Sequence, residues 1–163
     1  MIPISQQDLA QVRVEGLTKK YADGKVAVRK LDVAMLEGQI TCLLGHNGAG
    51  KTTTISILTG MIGASAGNCS IYGFDLSSNL PEIRQLIGIC PQHNVLFPSL
   101  TVTEHLFFFG NVKGMTGKVL RLRVESVISE VGLTEKRHVV SSALSGGMKR
   151  KLSLAIALIG DPK

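Results

Sequence analysis

The sequence predicts a mixed α/β fold, with a β-rich first part at residues 1–98 and a helical second part at residues 99–163. Three observations predict it. Short β-prone runs with turn signals open the chain, a glycine-rich loop lies between an apolar run and a helix, and helix start and stop signals recur from Thr101 onward. With 163 residues, of which 44% are hydrophobic, the chain can bury the core of one domain.

The β-rich part begins with two predicted antiparallel strands, which lie at residues 12–14 and 26–36 and are joined by a turn signal from Tyr21 to Gly24. Two later apolar runs, Ile40 to Leu44 and Ile87 to Cys90, are predicted to be buried strands. Between these runs we expect a turn at residues 63–67, a short strand at 68–72 and a helix that begins near Pro81.

The helical part contains three predicted helices, at residues 101–109, 118–131 and 145–160. Thr101 and Glu104 have the spacing of a capping box, in which each side chain binds the other residue's backbone N–H. Gly132 is placed to end the second helix, and Ser145 can cap the start of the third.

A complete phosphate-binding loop of the pattern G-x-x-x-x-G-K-[ST] is formed by Gly45, His46, Asn47, Gly48, Ala49, Gly50, Lys51 and Thr52. Its glycines let backbone N–H groups surround a diphosphate closely, and the following helix directs its positive end at the same charge. We expect Lys51 to contact the β- and γ-phosphates in a catalytic role, the Thr52 hydroxyl to bind Mg²⁺, and Thr53 to line the site. A glycine-rich turn with a chance lysine is disfavoured by the strand and helix predicted on either side.

A second glycine motif, from Leu144 to Met148, lies at the start of the last predicted helix. Ser145 can cap that helix, and the two glycines leave backbone N–H groups open to an anion. On its own this motif fits a second phosphate site or an ordinary Ser-Gly helix cap.

The phosphate loop, the run from Cys90 to Phe97 and the segment at residues 144–153 occur in the order and spacing of a known family. Together they resemble the nucleotide-binding domain of ATP-binding cassette (ABC) transporters. His46, the run from Pro91 to Phe97, and Met148 in place of the usual glutamine are similar to the first such domain of the lipid-transporting A subfamily. The resemblance implies a P-loop ATPase core with an antiparallel β subdomain and a helical subdomain, and with ATP and Mg²⁺ as cofactors. Lys149 departs from the glutamine expected at its position.

The resemblance also implies roles for further residues. Gln92 would be a catalytic residue whose amide contacts Mg²⁺ or the attacking water and senses the transmembrane domain. Tyr21 would stack on adenine, with the packing of a turn tyrosine against the fold as the alternative. Ser145, Gly146 and Gly147 would bind the γ-phosphate of ATP held by a second domain, which gives a head-to-tail sandwich of two nucleotides.

Two parts of the family's active site have no counterpart in this sequence. In the family, four apolar residues followed by Asp-Glu come soon after the last helix, and a switch histidine follows later. Asp75 is assigned to a turn and Glu104 to the capping box, so neither replaces the missing base. We therefore expect core strands to be missing after Lys163, and we expect the fragment to bind ATP without hydrolysing it and to be poorly stable alone.

Partners and location follow from the resemblance and the composition. The net charge of +6 is compatible with nucleic acid, but the basic residues are scattered and only 4% are aromatic, so no nucleic acid partner is expected. We interpret the cluster from Lys149 to Lys151 as a solvated helix face. Transmembrane domains, a second nucleotide-binding domain and, indirectly, a lipid substrate are the implied partners, at the cytoplasmic face of a membrane.

Two alternatives remain beside the transporter reading. The chain could be a natural short product that acts as a non-catalytic, nucleotide-dependent interaction module, or part of a soluble ABC ATPase of translation or repair. The second is disfavoured by Met148 and the run from Pro91 to Phe97. Three separated cysteines in apolar surroundings, Cys42, Cys69 and Cys90, are expected to be reduced, buried thiols.

Overall fold

The computed structural model describes residues 10–163 and divides into two compact units, with the boundary between Arg84 and Gln85. One unit contains an antiparallel sheet and the other is helical, which confirms the predicted α/β fold class. The predicted division at residues 98 and 99 rests on residue pattern rather than on contacts, and it stays a prediction.

From residue 10 onward, the first unit consists of a four-stranded antiparallel sheet with helices between and after its strands. Its elements are β1 (Ala10–Lys20), β2 (Val26–Leu36), α1 (Lys51–Leu58), β3 (Ala66–Ile71) and β4 (Phe74–Asp75), followed by α2 (Leu80–Leu86), which extends across the boundary. The strand order is β2-β1-β3-β4. The predicted antiparallel pair at the start of the chain is confirmed, and its first strand is longer than predicted.

One face of this sheet and one side of α1 form the core of the first unit. The buried residues are Val14, Leu17, Val28, Ile57, Leu58 and Cys69. Alternation along β1 and β2 directs one set of side chains to this face, and the end of α1 covers it. This packing determines where the start of α1 lies relative to β2, which matters for the loop that precedes the helix.

The two runs predicted as buried strands, Ile40 to Leu44 and Ile87 to Cys90, are not strands in the structure. Ile40 is 95% exposed and Leu44 is 87% exposed. An apolar β-prone run becomes a strand only when a neighbouring strand pairs with its N–H and C=O groups, and no residue in the described part of the chain pairs with either run.

The three cysteines have different environments: Cys42 is exposed, Cys69 is buried and Cys90 is intermediate. The prediction of three buried thiols is therefore wrong for Cys42 and for Cys90, which is only partly buried, because both lie in the unpaired runs. Burial raises the pKa of the Cys69 thiol, and the negative charge of Asp75 raises it further.

The second unit is built from three longer helices and two short 3₁₀ turns. They are α3 (Val102–Val112), α4 (Gly117–Glu130), the 3₁₀ turns Thr134–Lys136 and Ser141–Ala143, and α5 (Gly146–Leu158). Their core consists of Val102, Leu106, Leu120, Val124, Val127, Ile128, Val131, Leu133, Leu144, Leu152, Ala155 and Ile159. The three predicted helices are confirmed, and α3 ends three residues later than predicted.

Local signals account for the helix ends. The capping box is present at α3, where the Glu104 N–H donates to the Thr101 hydroxyl and the Glu104 carboxylate accepts from the Thr101 N–H. Gly132 follows α4 with a φ of +66°, as a left-handed helix stop requires. A contact with α4 explains why residue 110, inside α3, is glycine. A Cβ at Gly110 would stand 2.3 Å from Leu120 of α4. None of the described helices is long and apolar enough to cross a membrane.

Candidate functional site

The phosphate loop precedes α1 in the first unit and is mostly exposed. Gly48 and Gly50 both have a φ of +87°, a left-handed backbone conformation that residues with a Cβ atom rarely adopt. The Ala49 N–H donates to the His46 carbonyl at 3.1 Å, which closes a turn within the loop. Two of the three glycines predicted to shape the loop therefore have left-handed backbone.

Gly50 has a second constraint that the sequence did not reveal. A Cβ at this position would stand 2.2 Å from the Ala27 carbonyl oxygen of β2, so α1 begins in direct contact with the sheet. Gly50 is also the N-cap residue of α1, and no side chain in residues 10–163 caps this helix by a hydrogen bond. The first N–H groups of α1 thus face the loop, where an anion can bind them.

Lys51 is held against the loop by two backbone carbonyls. Its ammonium donates to Gly45 O at 2.5 Å and to His46 O at 2.8 Å. These bonds use two of the three ammonium hydrogens and keep the positive charge beside the loop. Thr52, the predicted Mg²⁺ ligand, is exposed in the first turn of α1.

Tyr21 lies beside the same helix end. Its hydroxyl is 3.3 Å from Thr53 Oγ1, and 40% of the residue is exposed. Lys19 Nζ lies over the tyrosine ring, 5.5 Å from the ring centroid. The structure therefore brings together three predicted site elements, the phosphate loop, Thr53 and Tyr21, and adds Lys19, which the sequence analysis missed.

Gln92 belongs to the second unit and is exposed in a bend. The guanidinium of Arg150, on α5, donates to the Pro91 carbonyl and, at 3.5 Å, to the Gln92 carbonyl. Ser153 of the same helix is buried, and its hydroxyl lies 3.0 Å from Asn94 Oδ1. The segment around Gln92 is therefore attached to α5, the helix that follows the second glycine motif.

These contacts add a role that the sequence did not reveal. Arg150 and Lys151 are exposed, as predicted for a solvated face at residues 149–151, and the Arg150 guanidinium also donates to the backbone near Gln92. Sequence reasoning missed Arg150 and Ser153 because the contact spans almost sixty positions of chain. Arg150 and Ser153 are three positions apart in the helix, so both lie on one side of α5.

The second glycine motif has the geometry of a helix cap. The Ser145 hydroxyl accepts a hydrogen bond from the Met148 N–H at 3.3 Å. Gly146 and Gly147 are exposed, and a Cβ on either would meet nothing within 4 Å. The structure thus contains the ordinary cap, and the role of this motif toward a phosphate stays a prediction.

The acidic residues considered as substitutes for a catalytic base are engaged locally. Asp75 Oδ1 accepts from the Ser77 N–H at 2.8 Å, and bonds from the Ser77 hydroxyl and N–H lower the pKa of Asp75. Glu104 accepts from the Thr101 N–H at 2.7 Å and from its hydroxyl at 2.8 Å, which lowers the pKa of Glu104. Within the described residues, no group of three or more His, Cys, Asp or Glu side chains could hold a metal ion. The Thr52 hydroxyl is an oxygen ligand of the kind that Mg²⁺ prefers, and the amide of Gln92, the other predicted ligand, belongs to the second unit.

A family model described as ABC transporter matches residues 28–163. Among curated proteins, ATP-binding cassette sub-family A member 2 of Homo sapiens is 50% identical over 153 residues, which is 93% of this chain and 6% of that protein. The retinal-specific phospholipid-transporting ATPase ABCA4 of Mus musculus is 48% identical over 93% of this chain and 7% of its own length. The phospholipid-transporting ATPase ABCA3 of Mus musculus is 45% identical over 95% of this chain and 9% of its own length. The chain therefore spans less than a tenth of these relatives.

Solved structures agree with these matches. The ATP binding subunit of an ABC transporter aligns with a TM-score of 0.82 at 26% identity, over 93% of this chain and 63% of that chain. The protein cbiO1 from Clostridium perfringens, part of the ABC transporter complex cbiONQ, aligns with a TM-score of 0.84 at 28% identity, over 94% and 63%. The resemblance inferred from the three motifs is confirmed, including its similarity to the A subfamily.

Proposed function

Because the chain belongs to the ABC transporter family, we propose that its phosphate loop binds ATP with Mg²⁺ and that it is part of the motor of a lipid transporter. The observation that carries the proposal is the loop itself. An uncapped helix start, two glycines with left-handed backbone and a lysine held beside them form a group of hydrogen-bond donors. Such a group fits the β- and γ-phosphates of a nucleotide.

Each residue of the loop has a distinct task in this proposal. The backbone N–H groups at the start of α1 bind phosphate oxygens, and the Lys51 ammonium adds a full positive charge. The exposed Thr52 hydroxyl serves as the protein ligand for Mg²⁺, which neutralises phosphate charge when bound. Tyr21 offers an exposed aromatic surface next to Thr53, where the base would stack.

The second unit supplies the proposed connections to partners. By family resemblance, Gln92 senses the transmembrane domain, and Ser145, Gly146 and Gly147 bind the γ-phosphate on a second nucleotide-binding domain. The attachment of the Gln92 segment to α5 supports a shared response of these two motifs, since Arg150 and Ser153 lie on the helix that Ser145 begins. We place the assembly at the cytoplasmic face of a membrane.

Lipid as the transported substrate rests on the names of relatives. Two of them are phospholipid-transporting ATPases, at 48% and 45% identity. These matches favour the transporter over a soluble ABC ATPase of translation or repair. The role of the chain as a separate, non-catalytic interaction module has no specific observation in its favour.

Substitution of Lys51 tests the proposed function. Lys51→Ala removes the charge at the β- and γ-phosphates, and its loss should weaken binding of a fluorescent ATP analogue by about 2 kcal/mol, roughly 30-fold. The matched control is Lys136→Ala, which removes an equal charge from an exposed 3₁₀ turn in the other unit. Equal affinity of the Lys51→Ala variant and the unaltered chain would contradict the proposal.

A further inference from the structure

We propose that Lys19 is a specificity-determining residue, which strengthens the stacking of a purine base on Tyr21 and thereby raises the affinity for a nucleotide over that for a bare polyphosphate. The proposal rests on the proposed function, and it concerns a residue outside the phosphate loop. It starts from the position of the Lys19 ammonium over the tyrosine ring.

The Lys19 ammonium is fixed in this position by the backbone. It donates to the Gly63 carbonyl at 2.6 Å, in the segment that follows α1. Because this acceptor is a neutral carbonyl, the bond orients the ammonium without cancelling its charge. Lys19 lies two positions before Tyr21 at the end of β1, a spacing that places both side chains on one side of the chain.

Tyr21 is held from three directions. Its N–H donates to Lys25 O at 2.9 Å, and its carbonyl accepts from the Gly24 N–H at 3.0 Å. Its hydroxyl is 3.3 Å from Thr53 Oγ1, in the first turn of α1. The ring is therefore fixed next to the helix end that is proposed to bind phosphates, and a nucleotide bound there has its base within reach of the ring.

The charge of Lys19 affects this ring in two ways. A cation over one face occupies that face, so a base has only the other face of the ring on which to stack. The face of the tyrosine ring carries partial negative charge, which opposes a base that stacks directly over it face to face. A cation on the far side draws electron density toward itself and reduces that repulsion. Lys19 thus both selects the stacking face and makes it more favourable.

The test compares ATP with inorganic tripolyphosphate, which carries the phosphates without the base, by calorimetric titration of the complete 163-residue chain. Lys19→Gln retains a donor for Gly63 and removes the charge. We expect it to weaken ATP binding about twofold to fivefold, the range of cation–π effects at exposed sites, and to leave tripolyphosphate binding unchanged. Lys19→Arg should restore the affinity for ATP. Lys20→Gln, the same change at the exposed neighbouring residue, should have no effect on either ligand.

The outcomes separate this inference from the proposed function. If Lys51→Ala leaves tripolyphosphate binding unaltered, the proposed phosphate site itself is wrong. Suppose instead that Lys51→Ala weakens tripolyphosphate binding. If Lys19→Gln then weakens the binding of both ligands equally, or of neither, the inference about the base is overturned. Equal affinity of the unaltered chain for ATP and tripolyphosphate also overturns it, because the base then gains nothing from Tyr21.

Discussion

The starts of α1 and α5 both carry glycine motifs, yet they treat their first N–H groups differently. At α1 the N-cap residue is Gly50, with left-handed backbone and no side-chain hydrogen bond. At α5 the N-cap residue is Ser145, whose hydroxyl accepts from the Met148 N–H. The first terminus leaves its donors for a ligand, while the second satisfies one donor itself and would have to exchange that bond for a phosphate.

The two termini also differ in how tightly the fold constrains them. Gly50 contacts the Ala27 carbonyl of β2, while Gly146 and Gly147 have open space where a Cβ would be. The start of α1 is therefore shaped before any ligand binds. The start of α5 is an exposed surface, as expected of a motif that is proposed to act on another domain.

The largest effect should come from Gly50→Ala. The substitution places a Cβ in contact with Ala27 O and forces alanine into left-handed backbone. We therefore expect the free energy of unfolding to fall by about 2 to 4 kcal/mol and nucleotide binding to weaken. Gly147→Ala is the matched change at α5 and should alter stability by less than about 1 kcal/mol, because alanine favours helix. Urea unfolding followed by circular dichroism measures both. Similar losses for the two variants would show that the termini are equally constrained.

A smaller effect is expected from Ser145→Ala. Loss of the cap hydrogen bond should cost about 1 kcal/mol of stability, and Ser145→Gly should cost only a few tenths. Neither variant should change the affinity of the isolated chain for a fluorescent ATP analogue, since the proposed phosphate partner of Ser145 is on a second domain. A marked loss of affinity in dilute protein would mean that the two motifs serve one nucleotide within one chain.

The smallest effect concerns α3, whose capping box satisfies its own N-terminus. Hydrogen bonds from the Thr101 N–H and hydroxyl hold the pKa of Glu104 below its ordinary value of 4.5. A carboxyl group whose pKa is lowered in the folded state contributes its full stabilisation above pH 4.5. It loses that contribution as the pH falls through the lowered pKa. The stability advantage of the unaltered chain over Glu104→Gln should therefore shrink below pH 4.5. Urea midpoints between pH 7 and 3 measure it, and an advantage independent of pH would contradict the prediction.

Local features were predictable from the sequence because their causes lie within a few residues. The capping box at Thr101 and Glu104, the stop at Gly132 and the cap at Ser145 depend on side chains that bind neighbouring backbone. The phosphate loop pattern also predicted a helix over residues 53–59, and the structure contains it as α1, which begins two residues earlier.

Features with partners far along the chain were not predictable in the same way. The run from Ile40 to Leu44 has the residues of a strand, but strand formation requires a neighbour, and the described chain provides none. The contacts of Arg150 with the Gln92 segment and of Lys19 with Tyr21 follow from how helices and strands pack. Residue type alone predicted a solvated face at residues 149–151 and indicated no role for Lys19.

The sequence by itself determined the family, the phosphate loop and the helix caps, because each is written in a short run of residues whose chemistry acts locally. The tertiary structure decided which candidates meet. It placed Tyr21 and Lys19 beside α1, required glycine at position 50 through contact with β2, and attached the Gln92 segment to α5. These outcomes depend on backbone and side-chain groups that are distant in sequence and come into contact only when sheet and helices pack.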